Sequence, residues 1–529
     1  MTSTIPKVLI ADKLSPRAVD IFKRRGIAVD IKTDLKPAEL RAIVAGYDGL
    51  AVRSATKVTA EVLASATGLK VVGRAGIGVD TIDVTAATQR GVVVMNTPYG
   101  NSITTAEHAI ALMFALAREL PQADRSTQAG KWEKARFMGV ELTGKTLGIV
   151  GCGNIGSIVA ARALGLKMKV AAYDPFLSEE RARHLGIEKV ELDQLYARAD
   201  FISLHTPLTD STRNMIDKTA LAKMKKGVRI INCARGGLIV EADLKAAILA
   251  GHVAGAALDV FPIEPATDSI FFGMSQVICT PHLGAATTEA QENVALQIAE
   301  QMSDFLLTGA VVNAVNMPAV SAEDAPKLKP YMKLAELLGS FAGQITEGGL
   351  EAVTIEFEGQ AAQLNTKPVV AAALAGLFRP LLDSVNMVNA PYLARQRDIA
   401  VSEVRHERDS DYQTIVRLTV KTGRHSRVLA GTLFGGTRPR LVGIQDIQIE
   451  AELGPYMLFV RNRDKPGFIG NLGTTLGGAG VNIATFHLGR SAPGADALCL
   501  VEVDEPISDF VLDQVCALPN VVQVKALRF

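Results

Sequence analysis

The sequence predicts an α/β protein of two doubly wound lobes, followed by an α+β segment and a small βαββαβ unit. Three observations carry that expectation. Short apolar runs alternate with helical segments over the first hundred residues. A second such series opens on the glycine pattern between Lys145 and Asp174. Residues 454–529 give strand and helix signals in the order β-α-β-β-α-β.

The first series is KVLIAD, VDIKT, GLAVRS, KVVGRAG and VVVMN, with SPRAVDIFKRRG and TAEVLASAT as helical segments. Strands alternating with helices imply a small parallel sheet covered on both faces. ITTAEHAIALMFALAREL then reads as one apolar helix long enough to run from one lobe to the other.

The second series starts at KTLGIVGCGNIGSIVAARALGLKMKVAAYD. LGIV suits a buried strand and IVAARAL a small-residue helix, and between them Gly151, Gly153 and Gly156 form G-x-G-x-x-G. The first two glycines permit a tight turn and close approach to a pyrophosphate, and the third lets helix pack on strand. Asn154 and Ile155 begin the helix whose N-terminus faces the phosphates. Asp174 ends the next apolar run, 18 residues after Gly156. A carboxylate there accepts both ribose hydroxyls and repels a 2′-phosphate, which favours NAD over NADP; the alternative is a Rossmann-like unit that binds no nucleotide.

The sheet continues through DFISLHTP, VRIINCAR, VAGAALDVF and VICTPHLG, with TRNMIDKTALAKMKKG and EADLKAAILAG as helices. Ligands in such sheets bind at the carboxyl ends of strands, which singles out Thr206, Arg235, Asp259, Glu264 and His282. TTEAQENVALQIAEQMSDFLLTG reads as a long helix leading back to the first lobe, and NAVNMPAV closes this body near residue 318. The implied division is a substrate-binding lobe at 1–100 and 286–318 and an NAD-binding Rossmann lobe at 101–285.

Composition fits a multidomain enzyme of 529 residues, with a prior of three or four domains. Lys+Arg 56 against Asp+Glu 55 leaves a net charge of +1, which argues against nucleic acid or a charged membrane surface as partner. Cys152, Cys233, Cys279, Cys499 and Cys516 show no C-x-x-C and no metal spacing with histidine, so free thiols, no metal site and a reducing compartment are expected. No signal peptide is recognisable and no apolar run approaches about 18 residues, so the expected location is cytoplasmic.

RAGIGVDTID, the glycine motif, HTPLTDSTRNMI, INCARGG, ALDVFPIEP and PHLGAAT, in this order over roughly residues 5–318, resemble the D-isomer-specific 2-hydroxyacid dehydrogenases. RSATKV, NTPYGNSITTAEHAI and a C-terminal extension of about 210 residues add a resemblance to the long members of that family. It implies a homotetramer that oxidises 3-phosphoglycerate to 3-phosphohydroxypyruvate with NAD, the first step of L-serine synthesis. Two readings stand beside it. One is a glyoxylate or hydroxypyruvate reductase or another D-2-hydroxyacid dehydrogenase. The other is an NAD-sensing binding protein of the corepressor type, built on the same body.

Oxidising a 2-hydroxy acid needs a base for the hydroxyl proton, a cation for the carboxylate and a nicotinamide held against the C2 hydrogen. His282, after a strand and a proline, suits the base. Glu264 in FPIEP can hydrogen-bond its imidazole, fix the tautomer and favour the protonated form. Arg235 in CARGG suits forking a planar carboxylate. The resemblance assigns the same three catalytic roles. For the cofactor it adds Thr206 beside the ring, Cys233 and Ala234 under the nicotinamide ribose, Asp259 on the nicotinamide side, and Gly284. Ile77 stands where some relatives place a threonine near the cofactor.

A phosphorylated substrate carries about two extra negative charges at neutral pH, so the first lobe should supply cations. Arg53, with Ser54 beside it, and Arg74 end apolar strands there. Lys134 and Arg136 in KWEKARFMG are further candidates, because in related enzymes this segment can reach a neighbouring subunit's cleft; Trp132 would anchor that contact. For each cation the alternative is a solvated surface charge.

Beyond residue 318, AVSAEDAPKLKP reads as a linker. Residues 319–453 mix strands such as LEAVTIEFEG and TIVRLTVKT with a helical stretch, PVVAAALAGLFRPLLDSV. The resemblance implies an intervening regulatory domain that binds anions or substrate, for which Arg424, His425, Arg427, Arg438 and Arg440 are available; ordinary surface charge is the alternative. Residues 454–529 resemble an ACT domain through RDKPGFIGNLGTTLGGAGVNIATF. That implies L-serine as an effector held between two such domains by Asn462, Asp464 and Asn482, although asparagine and aspartate are also ordinary turn formers.

Overall fold

The computed structural model describes residues 5–320, 323–406, 412–423 and 425–529. Arg424 lies outside them.

The first lobe is a parallel sheet of five strands in the order Ala28–Ile31, Lys7–Ile10, Gly49–Val52, Val71–Arg74, Val93–Met95. Successive side chains of a strand face opposite sides, so one strand feeds two cores. Val8 and Ile10 join Phe22 and Ile298, whereas Leu9 joins Leu40 and Leu63. The long helix expected to return to this lobe, Thr288–Thr308, does so. A Cβ on Gly73 would lie 2.2 Å from Met302 Sδ, so this glycine lets the helix settle on the strand.

The second lobe is a parallel sheet of seven strands: Val277–Cys279, Val253–Leu258, Val228–Asn232, Phe201–Leu204, Thr146–Val150, Lys169–Tyr173, Glu188–Lys189. Its chain starts at Thr146–Val150, runs outward one way and returns to continue the other. The reversal opens a crevice at the carboxyl ends of Thr146–Val150 and Phe201–Leu204. The two-residue strand Glu188–Lys189 is too short for any periodicity to reveal. Ala106 and Ala109 of the helix Ser102–Ala117 share a core with Ala160 and Ala163 of Asn154–Gly165.

Two helices are shorter than the sequence suggests. ITTAEHAIALMFALAREL stops being helical at Ala117; Glu119 turns to φ 51° and a separate helix, Leu120–Gln128, begins. Pro121 is tolerated in that first turn but not in a helix interior. Of TRNMIDKTALAKMKKG only Lys218–Lys223 is helical, capped by Asp217 accepting from Ala220 N.

In the tail, six strands run in the order Ala400–His406, Ala352–Gly359, Thr414–Thr422, His425–Phe434, Arg438–Ile444, Ile447–Ala451, antiparallel except for the first pair. Helices Ala325–Gln344 and Lys367–Phe378 pack tightly on each other. A Cβ on Gly339 or Gly376 would come within 2.1 Å of Ala373 O or Glu336 O, respectively. The stretch expected to be a linker is therefore helical from Ala325, with Pro326 in the first turn. Residues 454–529 form βαββαβ as expected: strands Ile483–Arg490, Asp496–Val503, Tyr456–Arg463 and Val521–Arg528 in that spatial order, with helices Phe468–Gly478 and Asp509–Cys516.

The tail docks on the first lobe. Asn386 Nδ2 donates to Gly91 O at 2.9 Å and Gln89 Nε2 to Tyr392 Oη at 2.8 Å, over a core that joins Val8 and Ile10 to Leu328, Ile355 and Phe459. Among the described residues, no helix is long and apolar enough to cross a membrane.

Candidate active site

His282 follows the edge strand Val277–Cys279 and has a left-handed backbone, φ 55°. What holds it there is Asp259, at the end of the neighbouring strand. Its carbonyl accepts from His282 N at 2.9 Å, Oδ1 from Leu283 N at 2.7 Å and Oδ2 from Gly284 N at 2.8 Å. Three successive amides are thus fastened to one residue. Thr280 Oγ1 also donates to Oδ1 at 2.6 Å, and His108 Nε2 lies 3.2 Å from it. Burial would raise the Asp259 carboxyl, but the bonds from His108, Thr280 and Leu283 hold it below the usual carboxylate range.

The Asp259 side chain, expected on the nicotinamide side, is wholly buried beneath the His282 turn, which it organises. His108, which the sequence did not single out, completes the clamp from the helix Ser102–Ala117. A ring nitrogen of His108, Cys233 Sγ and an Asp259 oxygen lie within 4.8 Å of one another, near enough for a metal ion. The carboxylate is already satisfied, however, and burial raises the Cys233 thiol, which works against thiolate ligation.

The imidazole of His282 is half exposed, and its Nδ1 sits 2.6 Å from Glu264 Oε2. Glu264 Oε1 accepts from Phe261 N at 3.0 Å, so the carboxylate is fixed before it orients the ring. With Nδ1 bound to a carboxylate, the accessible basic nitrogen is Nε2. Next door, a Cβ on Gly236 would fall 2.1 Å from Phe261 O, so the turn after Arg235 packs directly on the turn that carries Glu264. Asn232, also absent from the sequence expectations, shapes the Cys233–Arg235 turn: Oδ1 accepts from Ala234 N and Nδ2 donates to Arg235 O, each at 3.0 Å.

The nucleotide crevice fits NAD in its donor set and its space. Gly151 has φ 92°, and a Cβ there would meet His205 O at 2.6 Å; one on Gly156 would meet Gly151 O at 2.0 Å. Gly153 faces open space, which leaves room for a pyrophosphate. No side chain caps the helix Asn154–Gly165, so its first amides are available to an anion. Asp174 Oδ2 accepts from Cys152 N and Oδ1 from Phe176 N, both at 2.8 Å, which holds the carboxylate at the strand end with lone pairs to spare for ribose hydroxyls. Thr206 is partly exposed beside this loop. Behind it, burial pushes His205 down to about 4, so that ring stays neutral.

The cations of the first lobe gather at the carboxyl ends of its strands. The Arg74 guanidinium is pushed down to about 10, first by burial and then by the charges of Arg53 and Arg235, with Asp12 and Asp80 opposing. Arg74 Nη1 donates to Ala75 O at 2.7 Å, and its buried Nε has no partner. Arg53 is placed by Asp12 Oδ2, which accepts its backbone N–H at 2.5 Å. Ser54 is exposed on the same turn. Arg235 reaches across from the second lobe, its Nε donating to Asp80 Oδ2 at 3.1 Å.

Other expected site residues do not join this cleft within one chain. Lys134 and Arg136 are exposed on the outer edge of the second lobe, where Arg136 pairs with Glu133 at 3.0 Å and borders a groove of 600 Å³ with Arg125 and Phe271. In the six-stranded sheet, His425 and Arg438 lie at opposite ends of the ten-residue strand His425–Phe434, because Phe434 pairs with Arg438; Arg440 is paired with Glu452. Of the described members of the expected set, His425, Arg438 and Arg440 thus do not converge, and Arg427 has a buried Nη1 without a hydrogen-bond partner. In the last domain, Asn462 and Asp464 line one groove of 550 Å³ with Arg490. Asp464 Oδ2 accepts from Arg490 Nη1 at 2.8 Å, and Asn462 Oδ1 is buried without a partner. Asn482 lies at the other end of the strand Ile483–Arg490, donating to Asp504 Oδ2 at 2.7 Å.

This fold and site are those of a D-2-hydroxyacid dehydrogenase. The family model for the D-isomer specific 2-hydroxyacid dehydrogenase NAD-binding domain matches residues 110–284, and that for the D-3-phosphoglycerate dehydrogenase intervening domain matches 327–445. The chain is 44% identical over 522 residues to the D-3-phosphoglycerate dehydrogenase of Synechocystis sp., covering 98% of this chain and 94% of that one. It is 43% identical over 520 residues to the enzyme of the same name from Archaeoglobus fulgidus, covering 98% of each. The solved structure of cofactor (NAD+)-bound 3-phosphoglycerate dehydrogenase from Entamoeba histolytica covers 59% of this chain and 99% of its own, at 30% identity and TM-score 0.51. The chain belongs to the D-3-phosphoglycerate dehydrogenase family.

Proposed function

We propose that this protein oxidises 3-phospho-D-glycerate to 3-phosphohydroxypyruvate with NAD, the first step of L-serine synthesis. The observation that carries the proposal is the His282–Glu264 pair at the carboxyl end of one sheet, combined with guanidinium groups from both lobes. His282 Nε2 takes the hydroxyl proton of C2, and Glu264 holds the ring and stabilises the imidazolium that forms. Arg235 binds the carboxylate and polarises the C2 oxygen as it becomes a carbonyl. Arg74 and Arg53, with Ser54, take the phosphate.

Gly151, Gly153, Asn154, Ile155 and Gly156 would cradle the pyrophosphate of NAD, and Asp174 would take its adenosine ribose. Thr206, Cys233, Ala234, Asp259 and Gly284 would line the nicotinamide end, where the cofactor when bound would supply the acceptor for the hydride leaving C2. The cations of the first lobe favour this reading over a glyoxylate or hydroxypyruvate reductase. The intact Arg235, Glu264 and His282 set and the βαββαβ tail favour it over an NAD-sensing binding protein.

The protein forms a homotetramer in which exposed Trp132, Lys134 and Arg136 meet a neighbouring subunit. L-serine binds between two βαββαβ units of ACT type, with Asn462 and Asp464 from one chain and Asn482 from another. Five free cysteines fit a reducing compartment such as the cytoplasm.

The test is NADH formation from 3-phosphoglycerate by the wild-type protein and by His282→Ala. The wild type turns over and the variant loses about 10²–10⁴ in kcat while its NADH affinity stays within a factor of about two. A variant within about threefold of wild type in kcat would remove His282 from the chemistry.

A further inference from the structure

Two glycines of R-A-G-I-G-V-D have a steric reason that backbone conformation alone does not give. A Cβ on Gly76 would lie 2.4 Å from Arg74 Nη1, and a Cβ on Gly78 would lie 2.2 Å from Arg235 Nη2. This loop is therefore a bed on which two guanidinium groups rest, one from each lobe. Gly78 also leaves room for Asp80, whose Oδ2 would be 2.6 Å from the same Cβ. Asp80 then accepts from Arg235 Nε at 3.1 Å, a contact between residues 155 apart in sequence and between the two lobes. Arg235 Nη1 donates to Ala234 O at 2.6 Å. The guanidinium is thus held at two points, with further Nη hydrogens left for a ligand.

The acids near this cluster are not equivalent. Asp12 is 6% exposed and committed: it accepts from Arg53 N, Thr56 N and Thr56 Oγ1. Asp80 has a side chain 68% exposed, and the bond it makes to a cleft cation is the one to Arg235. A Lys at 235 would have no Nε–H at that place in the chain, so the contact is specific to an arginine.

We infer that Asp80 is a positioning residue: with Gly78 it seats Arg235 against the substrate lobe, fixing the guanidinium plane so that its Nη edge meets the substrate carboxylate. This rests on the proposed function only in that Arg235 is the carboxylate-binding residue. Asp80 acts through Arg235 and touches neither substrate nor NAD. Its acceptor oxygen matters more than its charge, because what the geometry supplies is a fixed plane at Nε.

A double-mutant cycle on the full chain tests this. Wild type, Asp80→Ala, Arg235→Lys and the double variant are compared by calorimetric Kd for 3-phosphoglycerate, which needs no turnover, and by KM and kcat wherever turnover remains. Asp80→Ala is expected to weaken substrate about 10–100-fold while the KM for NAD and the melting temperature stay unchanged, and Asp80→Asn is expected to restore binding to within about fivefold. In the Arg235→Lys background, Asp80→Ala should add less than about twofold. The inference is overturned if Asp80→Ala matches wild type, or if its full effect persists in the Arg235→Lys background. Failure of the proposed function reads differently: the wild type would then prefer an unphosphorylated hydroxy acid, and the same cycle run on that acid would still decide the role of Asp80.

Discussion

Two glycine-rich turns in this chain join a strand to a helix, GCGNIG at 151–156 and PGFIGNLG at 466–473, and their surroundings differ. In the first, a Cβ at Gly151 or Gly156 would lie 2.6 Å or 2.0 Å from backbone atoms, and only Gly153 opens outward. In the second, Gly467, Gly470 and Gly473 would all meet nothing within 4 Å. The nucleotide turn is closed by its own chain and keeps one gap, where a ligand belongs. The tail turn is open along its length and is constrained, within one chain, only by φ 91° at Gly467. Similar sequence patterns thus record different demands: backbone contact in one case, and in the other a surface that one chain leaves uncovered.

The comparison breaks first, and hardest, at Gly156. Gly156→Ala drives a methyl into Gly151 O, and overpacking of this kind costs about 1–3 kcal/mol. NAD binding by calorimetry should be lost or weakened by more than about 100-fold, because the loop that faces the pyrophosphate must move. Near-normal NAD affinity would show that the helix-to-strand contact is dispensable.

A smaller effect is expected one strand away. Asp174→Ala removes the proposed ribose acceptor and frees Cys152 N and Phe176 N. The KM for NAD should rise about tenfold and discrimination against NADP should relax, on the scale of one or two charge-assisted hydrogen bonds. An unchanged ratio of kcat/KM for the two cofactors would refute its role.

The smallest effect is predicted in the open turn. Gly470 is helical, exposed and has no neighbour to strike, so Gly470→Ala should stabilise by up to about 1 kcal/mol through helix propensity. Thermal denaturation checks it. A lowered melting temperature would mean that another surface packs against this helix in the assembled protein.

What the sequence revealed follows the same division. Both parallel sheets, the βαββαβ order and the His282–Glu264 pair were legible because each is written in local periodicity or in a fingerprint a few residues long. Asp80 with Arg235 and His108 with Asp259 were not, since no local pattern marks a contact between residues 155 apart or between a helix and a distant strand end. Asp259 is marked in the sequence by its family pattern at a strand end, whereas its bonds to the His282 turn appear only in the structure. The helix Ala325–Gln344 was hidden by Pro326 and Pro330 in its first turns, where prolines and lysines look like a linker. Within one chain Asn482 lies a strand's length from Asn462 and Asp464, a separation that no local sequence pattern displays.

The central claim is that the cleft is built for a phosphorylated hydroxy acid, and one ratio tests it: kcat/KM for 3-phosphoglycerate over that for D-glycerate, with NAD at saturation. The proposed seating of the phosphate on Arg53 and Arg74, at about 1.5–3 kcal/mol for each charge-assisted bond, predicts a preference of at least about 10²-fold for the phosphorylated acid. Equal values for the two acids would contradict the claim and leave those guanidinium groups without a role in recognition.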